Sequence, residues 1–182
     1  MGVDGSGKST LINKIKKKNK IKYFHLRPYF FLSDKRTVNK NPHQKKKPHT
    51  KLFNFVRLLI WLFMYNFFFY VYLKNSKKLI IFDRYAHDIL IDPVRYRFNL
   101  SKKLTKKILS FFPEPHLWVI LNVKAKTAYK RKKEISLKEN IRQSNEYLKF
   151  AKTRKNSIVI KTNNNINKSV SVLFKKINKY HV

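Results

Sequence analysis

The residues best equipped for chemistry stand at the start of the chain. Gly2-Val3-Asp4-Gly5-Ser6-Gly7-Lys8-Ser9 satisfies the spacing G-x-x-x-x-G-K-[ST]. Glycines at these positions let the backbone curl until successive N–H groups face one centre, which suits phosphate oxygens. A helix opening near Ser9, with Thr10 in its first turn, adds the partial positive charge of its N-terminus. Lys8 has the reach for the β- and γ-phosphates of a nucleotide, and the Ser9 hydroxyl suits Mg²⁺. The alternative is a chance match in a surface turn. The apolar Leu11 and Ile12 that follow at helical spacing favour the phosphate-binding reading.

A second constellation lies mid-chain. Lys78-Leu79-Ile80-Ile81-Phe82-Asp83 is a continuous apolar run ending in a carboxylate. Such a run suits a parallel strand covered on both faces. An aspartate at that strand end is placed to hold Mg²⁺ beside a triphosphate; a simple cap or turn former is the alternative. Arg84 comes next. Its planar fork suits phosphate oxygens, and an ion pair with Asp83 or Asp88 is its other reading.

The elements that must carry these residues follow from periodicity. A helix is predicted over about Ser9–Asn19 and a strand over Ile21–Leu26. Residues 27–50, rich in Pro, Asn, Lys and His, read as a loop. Leu52–Leu73 reads as a long apolar helix. A short helix is predicted over about Ser101–Phe111 with Ser101 as N-cap, then a buried strand over His116–Val123. Helical material runs over about Lys126–Ala151, broken near Ser136. A strand over Ser157–Lys161 and a helix over about Lys168–Asn178 complete the chain. Strands alternating with helices predict one α/β domain with a parallel sheet. A phosphate-binding loop normally follows a buried strand, and here the glycines begin at residue 2. The expectation is therefore a fold that lacks its first, central strand, whether that strand lies upstream or the chain is a truncated product.

Composition narrows the partners. The 182 residues include 43 Lys plus Arg against 9 Asp plus Glu, a net charge of +34. Such a field attracts nucleotides, nucleic acid and acidic membrane surfaces, although a general bias toward lysine would give the same count. The chain has no cysteine, which excludes disulfides, thiolate metal sites and cysteine nucleophiles. No apolar leader opens it, so a cytoplasmic setting is expected. Leu52–Leu73 is interrupted by Asn54, Arg57 and Asn66. It is expected to be a helix buried in a globular core and not a membrane span, because an intramembrane arginine is costly. Lysines at both ends, Lys51, Lys74, Lys77 and Lys78, keep the membrane reading open.

The glycine loop with its internal Asp4, together with Asp83-Arg84-Tyr85, resembles the two main signatures of the thymidylate kinase family. Longer stretches are similar to thymidylate kinase-like proteins of surface-polysaccharide gene clusters. These are His25-Leu26-Arg27-Pro28, the run Phe82–Pro93, Arg95-Tyr96-Arg97, Arg131-Lys132-Lys133-Glu134 and Arg142-Gln143. The resemblance implies a P-loop fold of the nucleoside-monophosphate-kinase type and Mg²⁺- and ATP-dependent conversion of dTMP to dTDP. It implies that Gly2, Gly5, Ser6, Gly7, Lys8, Ser9 and Thr10 bind ATP and that Asp4 faces the acceptor. Arg84 would contact the acceptor phosphate, and Arg57 would help hold the acceptor. A lid at about 131–145 would bring Arg131 and Arg142 to the nucleotide, Arg131 being the stronger candidate; solvation of a helix face is the bland reading of both. Pairing of two copies through the Leu52–Leu73 helix is also implied. Two other readings stay open: a nucleotide- or nucleic-acid-binding protein without turnover, and a truncated kinase whose phosphate loop has lost its anchor.

Overall fold

A computed structural model describes residues 1–18, 20–26, 47–73, 76, 78–162 and 166–177. Most of the predicted loop, residues 27–46, lies outside them, as do Arg27 and Pro28, Lys74, Lys77 and the predicted helix end at Asn178. The chain divides into two compact units, Met1–Ile21 with Pro115–Val182, and Lys22–Glu114. Each is described by itself.

The first unit holds α1 (Lys8–Lys18), β3 (Trp118–Asn122), α4 (Ala125–Arg131), α5 (Leu137–Lys152), β4 (Ser157–Lys161) and α6 (Ile166–Ile177). The second holds β1 (Ile21–Phe24, whose first residue belongs to the first unit), α2 (Lys51–Phe68), β2 (Leu79–Phe82) and α3 (Lys102–Leu109). Strands alternate with helices, as the sequence pattern predicts.

In the first unit β3 and β4 pair in parallel, Trp118 opposite Ser157 through Asn122 opposite Lys161. A parallel pair needs a crossover, and α4 and α5 supply it. The predicted break near Ser136 is real. Ser136 Oγ accepts from Glu139 N at 3.2 Å and starts α5. Ile120 and Leu121 of β3, Ala128 of α4, Tyr147 and Ala151 of α5, Ile160 of β4, and Val170 and Leu173 of α6 form the core with Leu11 and Ile15 of α1.

The start of the chain joins this sheet. Met1 N donates to Val119 O at 2.6 Å, and Leu121 N donates to Met1 O at 2.9 Å. These two bonds make one bridge of a parallel ladder opposite Ile120. Met1 thus ties the start of the loop to β3.

The second unit is an aromatic core. β1 and β2 pair, and Phe24, Tyr65, Phe68, Phe82, Tyr85 and Phe112 pack ring against ring with centroids 4.6–6.3 Å apart. Ser101 caps α3 as predicted, its Oγ accepting from Leu104 N. Missed was the 3-10 turn Ala86–Leu90 after β2; five residues are too few for helical periodicity to show.

α2 corrects a second expectation. One side is buried through Asn54, Leu58, Trp61, Tyr65 and Phe68, and a short π-helical turn, Phe69–Leu73, prolongs it. The opposite side is a stripe of Leu52, Val56, Ile60, Phe63 and Tyr70, each 45–73% exposed. This helix is therefore half covered and not buried in a core. It is long and apolar enough to cross a membrane by composition alone, yet all three of its polar interruptions donate to groups elsewhere in the unit, Asn66 Nδ2 to Phe111 O at 3.2 Å. Asn54 Nδ2 donates to Arg97 O and His49 O at 3.3 Å and to Asn99 Oδ1 at 2.8 Å. Arg57 Nη2 donates to Asn54 Oδ1 at 2.6 Å and Tyr96 O at 2.9 Å. Asn54→Ala strands these groups at a fully buried position. Unfolding in urea should show a loss of about 1–3 kcal/mol; a loss below about 0.3 kcal/mol would deny the network any weight.

Candidate functional site

The glycine loop has the backbone its sequence demands. Gly2, Gly5 and Gly7 have φ of 147°, 79° and 90°, values that side-chain-bearing residues rarely adopt. Two of them also sit where a side chain would not fit. A Cβ on Gly2 would lie 2.7 Å from Leu121 O of β3, and one on Gly5 would lie 2.5 Å from Ala128 O of α4. Ala128 is itself fully buried, so the loop cannot move that way. Gly5→Ala should lower stability by about 2 kcal/mol or more, from overpacking plus backbone strain. Thermal melting checks this; a melting temperature equal to wild type would refute the close fit.

Side chains complete the loop. Lys8 Nζ donates to Gly2 O at 2.7 Å and to Val3 O at 2.8 Å, and lies 3.8 Å from Asp4 Oδ1. The ammonium is thus held over the mouth of the turn by carbonyls that a phosphate could replace. Arg131, at the end of α4, donates Nη1 to Gly5 O at 3.3 Å. Ser9 and Thr10 are exposed on the first turn of α1, whose leading N–H groups have no intrahelical partners. Of the two lid candidates, only Arg131 meets the loop in this way. Arg142 lies along α5 and pairs with Glu139, Nε to Oε2 at 2.7 Å and Nη2 to Oε1 at 2.6 Å.

Asp83 and Arg84 belong to the second unit, immediately after β2. Asp83 is 8% exposed; its Oδ2 lies 3.3 Å from His25 Nδ1 and accepts from Tyr23 OH at 3.4 Å. Arg84 N donates to His25 O at 2.7 Å. The Arg84 side chain takes the ion-pair option: Nη1 meets Asp88 Oδ2 at 2.5 Å, and Asp88 is fully buried. Tyr96 OH donates to the same oxygen at 2.7 Å. Burial first, and the Asp88 charge next, hold the Tyr96 hydroxyl protonated well above its ordinary range, so it remains a donor there. Tyr96 O in turn accepts from Arg57. One hydrogen-bonded chain therefore links the two arginines that the resemblance assigns to the acceptor. Sequence reasoning named Asp88 and Tyr96 within resembling stretches, and Asp88 as an ion-pair option, and gave Tyr96 no role; the spacing of eight residues crosses a turn of no fixed period.

Ser9, in the first unit, offers a hydroxyl and Asp83, in the second, a carboxylate; each by itself is a hard oxygen of the kind Mg²⁺ takes. Magnesium beside nucleotide phosphates is held by one or two carboxylates, substrate phosphates and water, with no all-protein cage needed.

No family model and no curated protein matches the sequence. Solved structures do. The thymidylate kinase from Candida albicans has 17% identity and a TM-score of 0.66 over 99% of this chain and 89% of that one. The deoxyadenosine kinase from M. mycoides with bound dATP has 22% identity and a TM-score of 0.61 over 98% and 97%. The thymidylate kinase from Ehrlichia chaffeensis has 19% identity and a TM-score of 0.56 over 97% and 95%. The chain therefore has the α/β P-loop fold of the thymidylate and deoxyadenosine kinases.

Proposed function

We propose that this protein transfers the γ-phosphoryl group of ATP to a nucleoside monophosphate, with a thymidylate-like acceptor. The observation that carries the reading is the glycine loop: three glycines at positive φ, two of them wedged against β3 and α4, with Lys8 over the mouth. In the reaction an anionic oxygen of the acceptor phosphate attacks Pγ in line. The bond from Pγ to the β,γ-bridging oxygen breaks, and ADP leaves. The attacking oxygen is already deprotonated, so no general base is needed; position and charge neutralisation supply the acceleration.

The roles fall on this chain's residues. Backbone N–H groups of the loop and of α1's first turn bind the phosphates, and Lys8 shifts from carbonyls to the β- and γ-oxygens. Arg131 neutralises charge gathering on the transferring group. Asp4 faces the acceptor, Arg84 binds its phosphate, and Arg57 supports Arg84 through Tyr96 and Asp88. Ser9 and Asp83 would hold Mg²⁺, which withdraws charge from the β- and γ-phosphates when bound. Arg142 is the weaker lid candidate because Glu139 already holds it. Pairing of two copies would use the exposed stripe of α2, and the setting would be cytoplasmic.

The test is an ADP-release assay over a panel of nucleoside monophosphates and deoxynucleosides. ADP formation with dTMP above all others supports the proposal; ADP formation only with nucleosides moves the acceptor class. The second reading, a nucleic-acid-binding protein without turnover, draws on the +34 charge and on the exposed Lys102, Lys103, Lys106 and Lys107 of α3. RNA binding that falls steeply with salt, with no ADP released, would favour it.

A further inference from the structure

We propose that Thr162 is a positioning residue of the phosphate loop, setting the peptide plane between Ser6 and Gly7 so that the Gly7 N–H faces the phosphates. This rests on the phosphate-binding reading of the loop given above. Thr162 directly follows β4 and is 7% exposed. Its backbone N donates to Asn122 O at 2.9 Å, which closes the last pair of the β3–β4 ladder, Asn122 with Lys161, and fixes where the side chain starts. Its Oγ1 donates to Ser6 O at 2.8 Å, in a buried contact across 156 positions of sequence. Ser6 is completely buried.

The consequence follows from peptide geometry. In a trans peptide the N–H points opposite to the C=O of the same plane. A hydroxyl that captures the Ser6 carbonyl therefore turns the Gly7 N–H away from β4. Gly7 has φ of 90°, and glycine takes positive and negative φ about equally readily, so a turn of that plane carries little cost at Gly7 and the Thr162 hydrogen bond settles its direction. The Gly7 N–H donates to no described backbone carbonyl, as a group kept for a ligand should. The neighbouring carbonyls are tethered in the same manner. Gly5 O accepts from Arg131, while Gly2 O and Val3 O accept from Lys8. Lys8 must let go when phosphate arrives; the Thr162 hydroxyl also lies 3.4 Å from Asn122 O, and the shorter contact to Ser6 O is the one that sets the plane.

The measurement is calorimetric affinity for inorganic tripolyphosphate and for MgATP, taken well below the melting temperature of each variant. Thr162→Val keeps the shape and loses the hydroxyl; Thr162→Ser keeps the hydroxyl. The expected result is about five- to tenfold weaker binding of both ligands by Thr162→Val, the worth of one hydrogen bond, and recovery to within about twofold in Thr162→Ser. Unchanged affinity in Thr162→Val, with binding lost in Lys8→Ala, overturns the role of Thr162 and leaves the phosphate site standing. A lower melting temperature with unchanged affinity also overturns it, because Thr162 would then serve stability alone. Failure of the wild-type protein to bind tripolyphosphate and MgATP overturns both this inference and the function on which it rests.

Discussion

Lys8→Ala is expected to lower the rate of ADP release by ~100-fold or more, the scale seen when a group that stabilises a charged transition state is removed. The ammonium bonds to Gly2 O and Val3 O, so its loss has a structural cost as well. The two effects separate by measurement. Net bonds of this kind are worth about 1 kcal/mol each, which shifts melting by several degrees and leaves the protein folded at assay temperature. Turnover should vanish in a protein that still melts cooperatively. Lys8→Arg should not restore it, because guanidinium is a broad planar fork where the site offers room for a compact point charge. Full activity in Lys8→Ala would remove the glycine loop from the mechanism and with it the proposed kinase function.

The same loop shows what a sequence discloses and what it withholds. Glycine at positions 2, 5 and 7 is a local requirement, since backbone curvature at those residues demands it, so the motif is legible without a fold. The strand over Ser157–Lys161 is legible for the same reason: Ile158, Val159 and Ile160 form a β-branched run bounded by polar residues. The break between α4 and α5 is a capping serine, again a local signal. Thr162 carries no such mark. Nothing in the residues around position 162 tells that its hydroxyl meets Ser6, because that contact exists only once β4 lies in register beside β3. The fit of Gly5 against Ala128 is hidden in the same way.

α2 is the instructive misreading. Length and apolar content identify Leu52–Leu73 as a helix, and they do so correctly. They do not tell how much of its circumference a neighbour covers. A helix apolar all round is read as buried, whereas here Leu52, Val56, Ile60 and Phe63 remain exposed while Asn54 and Arg57 face inward. The polar interruptions that argue against a membrane span thus reinforce the packed side of the helix, and its apolar residues form the open side.

For Arg84→Ala the expected result is a rise in acceptor KM, or a fall in transfer rate, of about tenfold or more, with ATP affinity held within about twofold. The ion pair with Asp88 complicates the experiment in a calculable direction. Arg84 is 4% exposed and Asp88 fully buried. Removing the arginine leaves a buried carboxylate with the Tyr96 hydroxyl and without its counter-charge, which costs about 3–5 kcal/mol. Stability alone could then depress activity. The double variant Arg84→Ala with Asp88→Asn removes the stranded charge and recovers much of that loss. If Arg84 binds the acceptor phosphate, the double variant regains its melting temperature and keeps the kinetic defect. If acceptor kinetics return along with stability, Arg84 is a structural partner of Asp88, and the acceptor phosphate must be held by another cation. The pair of measurements decides between a buried ion pair that merely fastens the turn after β2 and one that aims a guanidinium at substrate.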